Sequence, residues 1–483
     1  MKSNLKIRIL LITLCLIVWS TLVNAQTIAA GGWHSLAVCS DSTVKAFGEN
    51  ASGELGDGTT TDQNIPVSVV GLSSIISVSG GGDQLEAHSL ALKKNGTVWA
   101  WGSNIYGALG NATTNPSLTP VQVLLLTGAT KISAGGWHSV ALKNDGTVWT
   151  WGWNIDGQLG DGTFVDKTIP TQVSGLTGVI EIAAGTYHVL ALKSDSTVWA
   201  WGDNISGQIG DNSTIDRNTP VQVVGLTGVV KIASGRFFSL AVKRDGTVWT
   251  WGENLYGQLG NGTTTDSHVP VQVTGLTGIT SATAATGAFH CLAVKNDNTV
   301  WAWGRNTYGN LGDGTVAHSS VPVLVQGATN IKTMAAGTNF SLLVKNDGTF
   351  WGCGRNASGQ LGDGTFLQRN TIVQSTYLCP VLIPLGITDN NTPELYEITT
   401  YPNPSATGLF SIKIGEGSAF EKQSKIGKLE VYNLMGQIVL QMTVIRQYSD
   451  DQISIDLSGQ PSGLYFMSLK LGSQTFNQKL IKK

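Results

Sequence analysis

The chain has few charged side chains and few long apolar runs. Only 13% of its 483 residues are Asp, Glu, Lys or Arg, and the formal net charge is −2. Proteins that hold nucleic acid through phosphate contacts carry a strongly basic surface, so this balance argues against nucleic acid as a partner. After residue 25 no stretch reaches the roughly 18 apolar residues of a membrane span. We therefore expect no transmembrane segment in the mature chain.

Residues 1–25 have the pattern of a secretory signal peptide. Lys2, Lys6 and Arg8 precede a short apolar run over 9–19, and Val23-Asn24-Ala25 supplies compact residues before a cleavage site. We predict cleavage after Ala25 and export of the remaining chain. A membrane anchor is the alternative.

Glycine and tryptophan are abundant, with 60 and 15 copies, and they follow a repeat. The pattern Trp-Gly-x-Asn-x-x-Gly-x-Leu-Gly recurs with small variations, and its spacings are 54, 50, 50, 50, 52 and 50 residues. Each unit reads as four short strands with an Asn-Asp-Gly type of hairpin turn between the second and third. The first glycines of the seven copies are Gly48, Gly102, Gly152, Gly202, Gly252, Gly304 and Gly354.

Seven four-stranded units without helical periodicity predict an all-β fold, a seven-bladed β-propeller over residues 26–379. An open β-solenoid is the alternative. If the blade boundaries are offset from the repeat boundaries, the last strand would complete the first blade and lock the ring.

The composition changes near residue 380. Residues 380–395 have the turn residues of a linker, and residues 396–483 contain about seven short strand patterns. Strands of this length and spacing predict a second, smaller domain, a β-sandwich.

The repeat resembles the regulator-of-chromosome-condensation repeat, which builds propellers on Trp-Gly-x-Asn-x-x-Gly-Gln-Leu-Gly. The resemblance covers residues 26–379. The founding member of that family is a nuclear exchange factor for a small GTPase, whereas other members, including secreted bacterial ones, use the propeller to bind proteins. An exported chain does not meet that GTPase, so the resemblance implies a protein-binding platform.

The C-terminal region resembles the sorting domain of type IX secretion substrates. The matching motifs are Tyr-Pro-Asn-Pro at 401–404, Val-Tyr-Asn-Leu-Met-Gly at 431–436, Leu-Ser-Gly-Gln-Pro-Ser-Gly-Leu-Tyr at 457–465 and Lys-Leu-Ile-Lys-Lys at 479–483. The resemblance implies that residues 396–483 engage the type IX secretion machinery. The protein is then expected to be secreted or held at the outer-membrane cell surface. An accessory structural sandwich is the alternative.

Four cysteines follow the predicted signal peptide, and no two have C-x-x-C spacing, so a zinc or redox motif is not indicated. They are Cys39, Cys291, Cys353 and Cys379. Four buried free thiols are one interpretation. A Cys39–Cys379 disulfide is the other, because a closed ring would bring the two ends of the repeat array together.

The sequence contains no convincing catalytic or metal motif. Histidine stands fourteen residues before the repeat glycine in five copies, and phenylalanine replaces it in two, so we expect structural histidines bonded to the backbone. The Asp-Gly loops at 57–62 and 161–166 resemble calcium loops, yet they lack the alternating carboxylates of an EF-hand. We predict no enzymatic activity and no cofactor.

The candidate binding residues are those that vary within the constant frame of the repeat. One such position directly precedes the histidine or phenylalanine, and another directly follows the repeat glycine. Aromatic and arginine side chains dominate protein interfaces. The alternative is that the aromatic rings pack against the next blade. We predict partner-binding roles for Trp33, Trp137, Trp153, Tyr187, Arg236, Phe237 and Phe289.

Together these features predict a secreted or surface-displayed propeller that binds a protein partner through one face. A carbohydrate-binding surface adhesin is the alternative, because exposed aromatic rings also stack on sugars. An enzyme with a cryptic site is a third hypothesis.

Overall fold

Each repeat folds into one four-stranded antiparallel sheet, and the repeat region contains seven such sheets, which we call blades 1 to 7 in chain order. The predicted seven-bladed β-propeller is confirmed. Every blade consists of four consecutive strands, so the blade boundaries coincide with the repeat boundaries. The last strand therefore does not complete the first blade.

The computed structural model describes residues 28–39, 41–82, 86–284, 286–375, 398–401, 405–407, 409–414, 426–433, 438–445, 452–471 and 474–483. Contacts divide the chain into two compact units, Met1–Leu385 and Gly386–Lys483. The predicted signal peptide over 1–25, the cleavage site after Ala25 and the linker over 380–395 lie outside the described residues.

The strands of blades 1 to 4 are β1 (Ile28–Ala30), β2 (His34–Val38), β3 (Val44–Gly48), β4 (Gln63–Ser68), β5 (Ile75–Gly80), β6 (His88–Lys93), β7 (Val98–Gly102), β8 (Ser117–Gln122), β9 (Ala129–Ala134), β10 (His138–Lys143), β11 (Val148–Gly152), β12 (Lys167–Gln172), β13 (Val179–Ala184), β14 (His188–Lys193), β15 (Val198–Gly202) and β16 (Arg217–Gln222). Those of blades 5 to 7 are β17 (Val229–Ser234), β18 (Phe238–Lys243), β19 (Val248–Gly252), β20 (Ser267–Gln272), β21 (Ile279–Thr283), β22 (His290–Lys295), β23 (Thr299–Gly304), β24 (Ser319–Thr329), β25 (Ile331–Ala336), β26 (Phe340–Lys345), β27 (Phe350–Gly354) and β28 (Arg369–Gln374).

Neighbouring blades are joined by a tryptophan on the third strand. Trp201 is fully buried, and its indole N–H donates to the Gln158 carbonyl of the preceding blade at 3.0 Å. Burial of so large a side chain contributes strongly to stability, provided that its polar N–H finds an acceptor. The same contact is made by Trp101, Trp151, Trp251 and Trp303.

The repeat histidines form a second link between blades. His88 Nε2 lies 2.9 Å from the Ser139 hydroxyl of the next blade, and that hydroxyl also donates to the Ala108 carbonyl at 2.9 Å. The expectation of a backbone partner is therefore wrong, because the partner of Nε2 is a serine hydroxyl. Burial lowers the pKa of His88 to about 4, so its ring is neutral. His34, His188 and His290 make the same contact with serine. His138 does not, because Val189 stands where the next blade would supply the serine.

The ring closes by side-chain packing and hydrogen bonds between blades 7 and 1. The rings of Phe47 and Phe350 meet edge to face, with centroids 5.6 Å apart. Ser35 donates its hydroxyl to the Gln360 carbonyl of blade 7 at 2.8 Å, just as Ser139 donates to the Ala108 carbonyl of its preceding blade. The closure thus keeps the serine–carbonyl bond of most other boundaries, whereas Phe47 and Phe340 stand where most other blades have the tryptophan and the histidine.

A longer connection in blade 6 crosses the axis of the propeller. The Thr286 hydroxyl lies 2.7 Å from the Ala134 carbonyl oxygen of blade 3 and 3.0 Å from that of Ala184 in blade 4. The backbone N–H of Gly287 donates to the Thr186 hydroxyl at 3.0 Å. These bonds join blade 6 to blades 3 and 4 on the other side of the ring, and Thr286 lines the cavity at the axis.

The second unit is a two-sheet sandwich, as predicted. One sheet has the order β29-β30-β33 and the other β32-β31-β34-β35, and residues such as Phe410 and Tyr465 share one core. Lys482 donates to the carbonyls of Leu457 and Ser458 at 3.1 and 2.7 Å. Its strands are β29 (Ile398–Tyr401), β30 (Leu409–Ile414), β31 (Ile426–Tyr432), β32 (Ile438–Ile445), β33 (Gln452–Asp456), β34 (Gly463–Leu471) and β35 (Gln474–Lys482).

Cys39 is disulfide-bonded, whereas Cys291 and Cys353 are free, buried thiols. The interpretation of four free thiols is therefore wrong for Cys39. Cys379, the expected partner, lies outside the described residues, so this pairing stays a prediction.

We expect the histidine–serine bond to stabilise each blade boundary where it occurs. Ser139→Ala removes bonds to His88 and to a carbonyl, whereas Ser35→Ala removes only the carbonyl bond, because Phe340 replaces the histidine of blade 7. We predict losses in the free energy of unfolding of about 2 and about 1 kcal/mol respectively.

Urea unfolding followed by tryptophan fluorescence measures this difference. All tryptophans after residue 25 lie between residues 33 and 351, so the signal reports on the propeller alone. Equal losses in the two variants would contradict a stabilising role for the histidine.

Peptide mapping without reduction tests the disulfide. We expect one cross-linked peptide pair containing Cys39 and Cys379, and alkylation of Cys291 and Cys353 only after unfolding, because both thiols are buried. Recovery of Cys379 as a free thiol would refute the predicted pairing.

Candidate functional site

One face of the propeller carries all the predicted binding residues. The loops between the first and second strands and those between the third and fourth strands meet there, because His138 pairs with Gly152 at that end of blade 3. The backbone N–H of Trp153 donates to the Trp137 carbonyl at 3.0 Å and joins the two loops. We call this the loop face. The hairpin turns, such as 144–146, lie at the opposite face.

A buried asparagine holds each long loop of the loop face. In blade 3, Asn154 Oδ1 accepts from the Leu159 N–H at 2.8 Å, and Nδ2 donates to the carbonyls of Thr163 and Val165 at 3.1 and 3.2 Å. Because a single side chain bridges both ends of the loop, the residues between them are displayed on a rigid frame.

The repeat glycine is required where the two loops meet. Gly152 has a φ of +103°, and a Cβ there would lie 2.5 Å from the Trp137 carbonyl oxygen. Any other residue would move the Trp137 loop away from the Trp153 loop. This explains why glycine precedes the variable position in all seven copies.

Four of the predicted residues form a continuous aromatic cluster, and the structure adds Tyr106 to it. Trp137 and Trp153 meet edge to face with centroids 5.1 Å apart, and Tyr187 lies 5.5 Å from Trp137. Tyr187 and Phe237 are stacked at 5.0 Å. Tyr106 of blade 2 lies 5.6 Å from Trp153. The cluster therefore crosses the boundaries between blades 2 and 5.

The other three predicted residues are Arg236 and two aromatic residues that lie beside arginines, Phe289 and Trp33. The Arg236 guanidinium lies 5.3 Å from the ring centres of both Phe237 and Phe289, and so extends the cluster. Phe289 is only 6% exposed. Trp33 is not part of the cluster, because blade 2 has Ala87 at the equivalent position; instead Arg355 covers the Trp33 ring at 3.9 Å.

Sequence reasoning missed a set of exposed aliphatic side chains around the cluster. They stand three residues after the repeat glycine, where blades 1, 6 and 7 have Ala51, Thr307 and Ala357. The sequence does contain a signal for this set, because large aliphatic residues occupy this position only in the four consecutive blades 2 to 5. The exposed fractions are 46% for Ile105, 60% for Ile155, 72% for Ile205 and 63% for Leu255. We call these four residues, together with Tyr106, Trp137, Trp153, Tyr187 and Phe237, the apolar arc.

The axial channel is a weaker candidate than the loop face. It contains a cavity of about 130 Å³ lined by small residues such as Ala29, Ser79 and Ser133. Typical ligand pockets begin at about 300 Å³. Glu181 lines the cavity as well; burial raises its pKa, while Lys231 and Lys131 oppose the increase.

The Asp-Gly loops use their oxygen atoms within the fold. In blade 3, Asp161 Oδ1 accepts from Asn154 Nδ2 at 3.4 Å, and Oδ2 lies 3.6 Å from Lys167 Nζ. Among the residues that the structure describes, no three His, Cys, Asp or Glu side chains are arranged to hold a metal ion. Nitrogen atoms of the chain thus contact the carboxylate oxygens that a calcium ion would need as ligands.

Blade 1 carries a carboxyl pair where other blades have an amide and a carboxylate. In blade 4, Gln208 Oε1 accepts from the Ser206 N–H at 2.9 Å, and Nε2 donates to Asp203 at 2.8 Å. The equivalent residues in blade 1 are Glu54 and Glu49, and Glu54 accepts from the Ser52 N–H at 2.8 Å. Glu54 therefore has to be protonated to donate as the glutamine does.

The electrostatics of blade 1 agree with this arrangement. Burial, with smaller contributions from Glu49 and Asp62, raises the pKa of Glu54 to about 8. Burial and Asp62 raise the pKa of Glu49 to about 7, and Arg355 opposes the increase.

Comparisons with protein families match both parts of the chain. The RCC1-like domain matches residues 86–383, and the regulator of chromosome condensation (RCC1) repeat matches residues 26–54 and 42–92. The secretion system C-terminal sorting domain matches residues 399–483. No helix in the described part of the chain is long and apolar enough to cross a membrane.

Several characterised proteins and solved structures are similar to the propeller. The human E3 ubiquitin-protein ligase HERC2 is 38% identical over 96 residues, which are 19% of this chain and 2% of that protein. The ultraviolet-B receptor UVR8 of Arabidopsis thaliana is 33% identical over 118 residues, 24% of this chain and 26% of the receptor. The chain therefore aligns with a small part of these relatives.

The similar structures show the fold alone. Human WBSCR16 superimposes with a TM-score of 0.62 and 23% identity, covering 69% of this chain and 94% of that one. Prp20p of Saccharomyces cerevisiae has a TM-score of 0.60 and 24% identity, covering 68% and 85%.

The Glu49–Glu54 pair predicts a loss of stability at alkaline pH. The folded chain keeps protons that the unfolded chain releases near the usual glutamate pKa of 4.5. The contribution of these protons to the free energy of unfolding is therefore fully present below that pH and is lost as the pH rises through about 8. We expect Glu54→Gln to raise the free energy of unfolding at pH 8 by about 2 kcal/mol, and much less at pH 4.5.

Gln208→Glu is the reciprocal variant, because it places the same carboxyl pair beside Asp203 in blade 4. Urea unfolding at both pH values should show this variant losing stability at pH 8. A pH-independent effect of Glu54→Gln would contradict the protonation of Glu54 in the folded chain.

Proposed function

The chain belongs to the RCC1-like domain family, and from this premise we propose that its propeller is an exported binding platform for a protein partner. In this proposal residues 26–379 bind the partner and residues 396–483 direct secretion through the type IX machinery. Residues 1–25, cleaved after Ala25, and a linker over 380–395 complete the chain. We assign no catalytic role and no cofactor.

The apolar arc is the observation that supports this proposal. Four aliphatic side chains, each between 46% and 72% exposed, lie on the same face as a cluster of half-buried aromatic rings. Water disfavours such a concentration of apolar surface, and exposed patches of this kind mark protein interaction sites. The adjacent Arg236, which lies over the Phe237 ring, adds a side chain that is frequent in the energetic centre of interfaces.

The aliphatic residues favour a protein over a glycan. Sugars stack on flat aromatic faces, whereas Ile105, Ile155, Ile205 and Leu255 offer them no such face. A protein partner can cover both the rings and the aliphatic side chains with its own apolar groups. The experiment below includes a glycan array, whose result tests the carbohydrate-binding hypothesis.

Site-specific photo-crosslinking on cells that export the protein tests the proposal. A photoreactive residue at Leu255, in the arc, should form a covalent adduct with a cell-surface or secreted protein. The same residue at Leu125, which is 81% exposed at the opposite face, is the control and should form none.

Two arc variants make this test specific. Trp137→Ala/Tyr187→Ala should abolish the adduct, because it removes the centre of the aromatic cluster. Ile155→Gln/Ile205→Gln alters exposed side chains alone and should weaken the adduct without lowering the melting temperature. Adducts that persist in both variants would refute the assigned surface, and a signal on a glycan array without any protein adduct would favour the carbohydrate hypothesis.

A further inference from the structure

We propose that the apolar arc binds a protein segment in which a lysine or arginine lies between apolar side chains, and that this cation pairs with Asp156. The inference rests on the function proposed above and names the chemistry of the partner. It is carried by one carboxylate that the fold leaves without a counter-charge inside an apolar surface.

Asp156 lies in the long loop of blade 3, directly after the exposed Ile155 and three residues after Trp153. Its side chain is half-buried. The structure gives its carboxylate no hydrogen bond and no ion pair with any described residue. Burial, followed by the carboxylates of Asp203 and Asp216, raises the pKa of Asp156 to about 6. The group is therefore mostly charged at neutral pH and faces two further acids.

The two acids beside Asp156 have no positively charged hydrogen-bond partner among the described residues. Asp203 accepts from Gln208 Nε2 at 2.8 Å and from the Ile205 N–H at 3.1 Å. Asp216 accepts from the Asn204 N–H at 2.9 Å. All of these donors are neutral, so the boundary of blades 3 and 4 keeps a net negative charge.

Other acids on the loop face do have an arginine nearby. Burial raises the pKa of both Glu253 and Glu49, and Arg236 and Arg355 respectively oppose the increase. Asp156 differs from Glu253 and Glu49 in this respect, because burial and neighbouring carboxylates raise its pKa and no cation opposes the increase.

The ring geometry places the partner on top of the arc. Trp137 and Trp153 are 5.1 Å apart, and Trp153 and Tyr187 are 5.8 Å apart, so each ring fills the space beside the next. No side chain fits between them. We therefore expect the cation to bind over the arc and not between its rings, with its aliphatic stem against the aromatic surface.

The partner has to supply a positive charge for a physical reason. An apolar segment without a cation would bury the Asp156 carboxylate and leave it unpaired, which is strongly unfavourable. An acidic segment would add repulsion from three carboxylates. A lysine or arginine compensates the charge, while its neighbours cover Ile155 and Ile205.

Selection from a displayed library of random 12-residue peptides tests the inference on the full chain. For the wild type, enriched peptides should contain lysine or arginine flanked by aromatic or aliphatic residues. Asp156→Asn should reduce affinity for those peptides about tenfold, the effect of one desolvated charge pair, and should remove the cation preference from a new selection.

Asp145→Asn is the matched control, because it removes one negative charge at the opposite face. Its turn should be preserved, since Asn95 makes the same pair of hydrogen bonds to Thr97 that Asp145 makes to Thr147. This variant should select and bind the same peptides as the wild type.

The outcomes separate this inference from the proposed function. Enriched apolar peptides without cations, or cationic peptides that bind Asp156→Asn as well as the wild type, would overturn the inference and leave the arc as a binding surface. Absence of any peptide whose binding depends on Trp137 and Tyr187 would overturn both.

Discussion

Every property of the loop face depends on the packing of one blade against the next. A buried tryptophan of each middle blade donates to a carbonyl of the preceding blade, and in four blades the repeat histidine reaches a serine of the following one. These contacts set the angle and spacing between blades. Rings such as Trp153 and Tyr187, which belong to different blades, meet because that spacing is constant.

The face separates a constant frame from variable side chains. Asn154 and its equivalents organise the long loops, and glycines such as Gly152 allow the two loops of a blade to approach closely. The residues between them have no such structural duty and differ among blades. Blades 2 to 5 have a large aliphatic residue three positions after the repeat glycine. Blades 6 and 7 instead have an arginine directly after that glycine. The result is a face with an apolar half and an arginine-rich half.

Much of this organisation could be predicted from the sequence, because a repeat reports its own period. The number of blades, the four strands of each and the location of Trp137 and Tyr187 on one face follow from spacing alone. Contacts between repeats were harder to predict. The spacing does not show that Tyr106 reaches Trp153 across a blade boundary, or that the histidines bond serine hydroxyls, since both depend on the distance between blades.

Local exceptions were also beyond sequence reasoning. Thr286 crosses the axis because the connection in blade 6 is longer, but the extra length does not reveal its direction. Asp156 occupies a position where other copies have serine or tyrosine, and only its surroundings show that it lacks a counter-charge. Functional proposals for this chain therefore rest on departures from the repeat, and the repeat itself explains stability.

Oxidative footprinting of the protein on the cells that export it tests most directly whether the arc is a binding surface. The measurement compares side-chain oxidation on intact cells with that of the purified chain. The account predicts strong protection of Trp153, Ile155 and Ile205 on cells, and unchanged oxidation of Leu125 at the opposite face. Equal oxidation of the arc in both samples, or protection confined to Leu125, would contradict it.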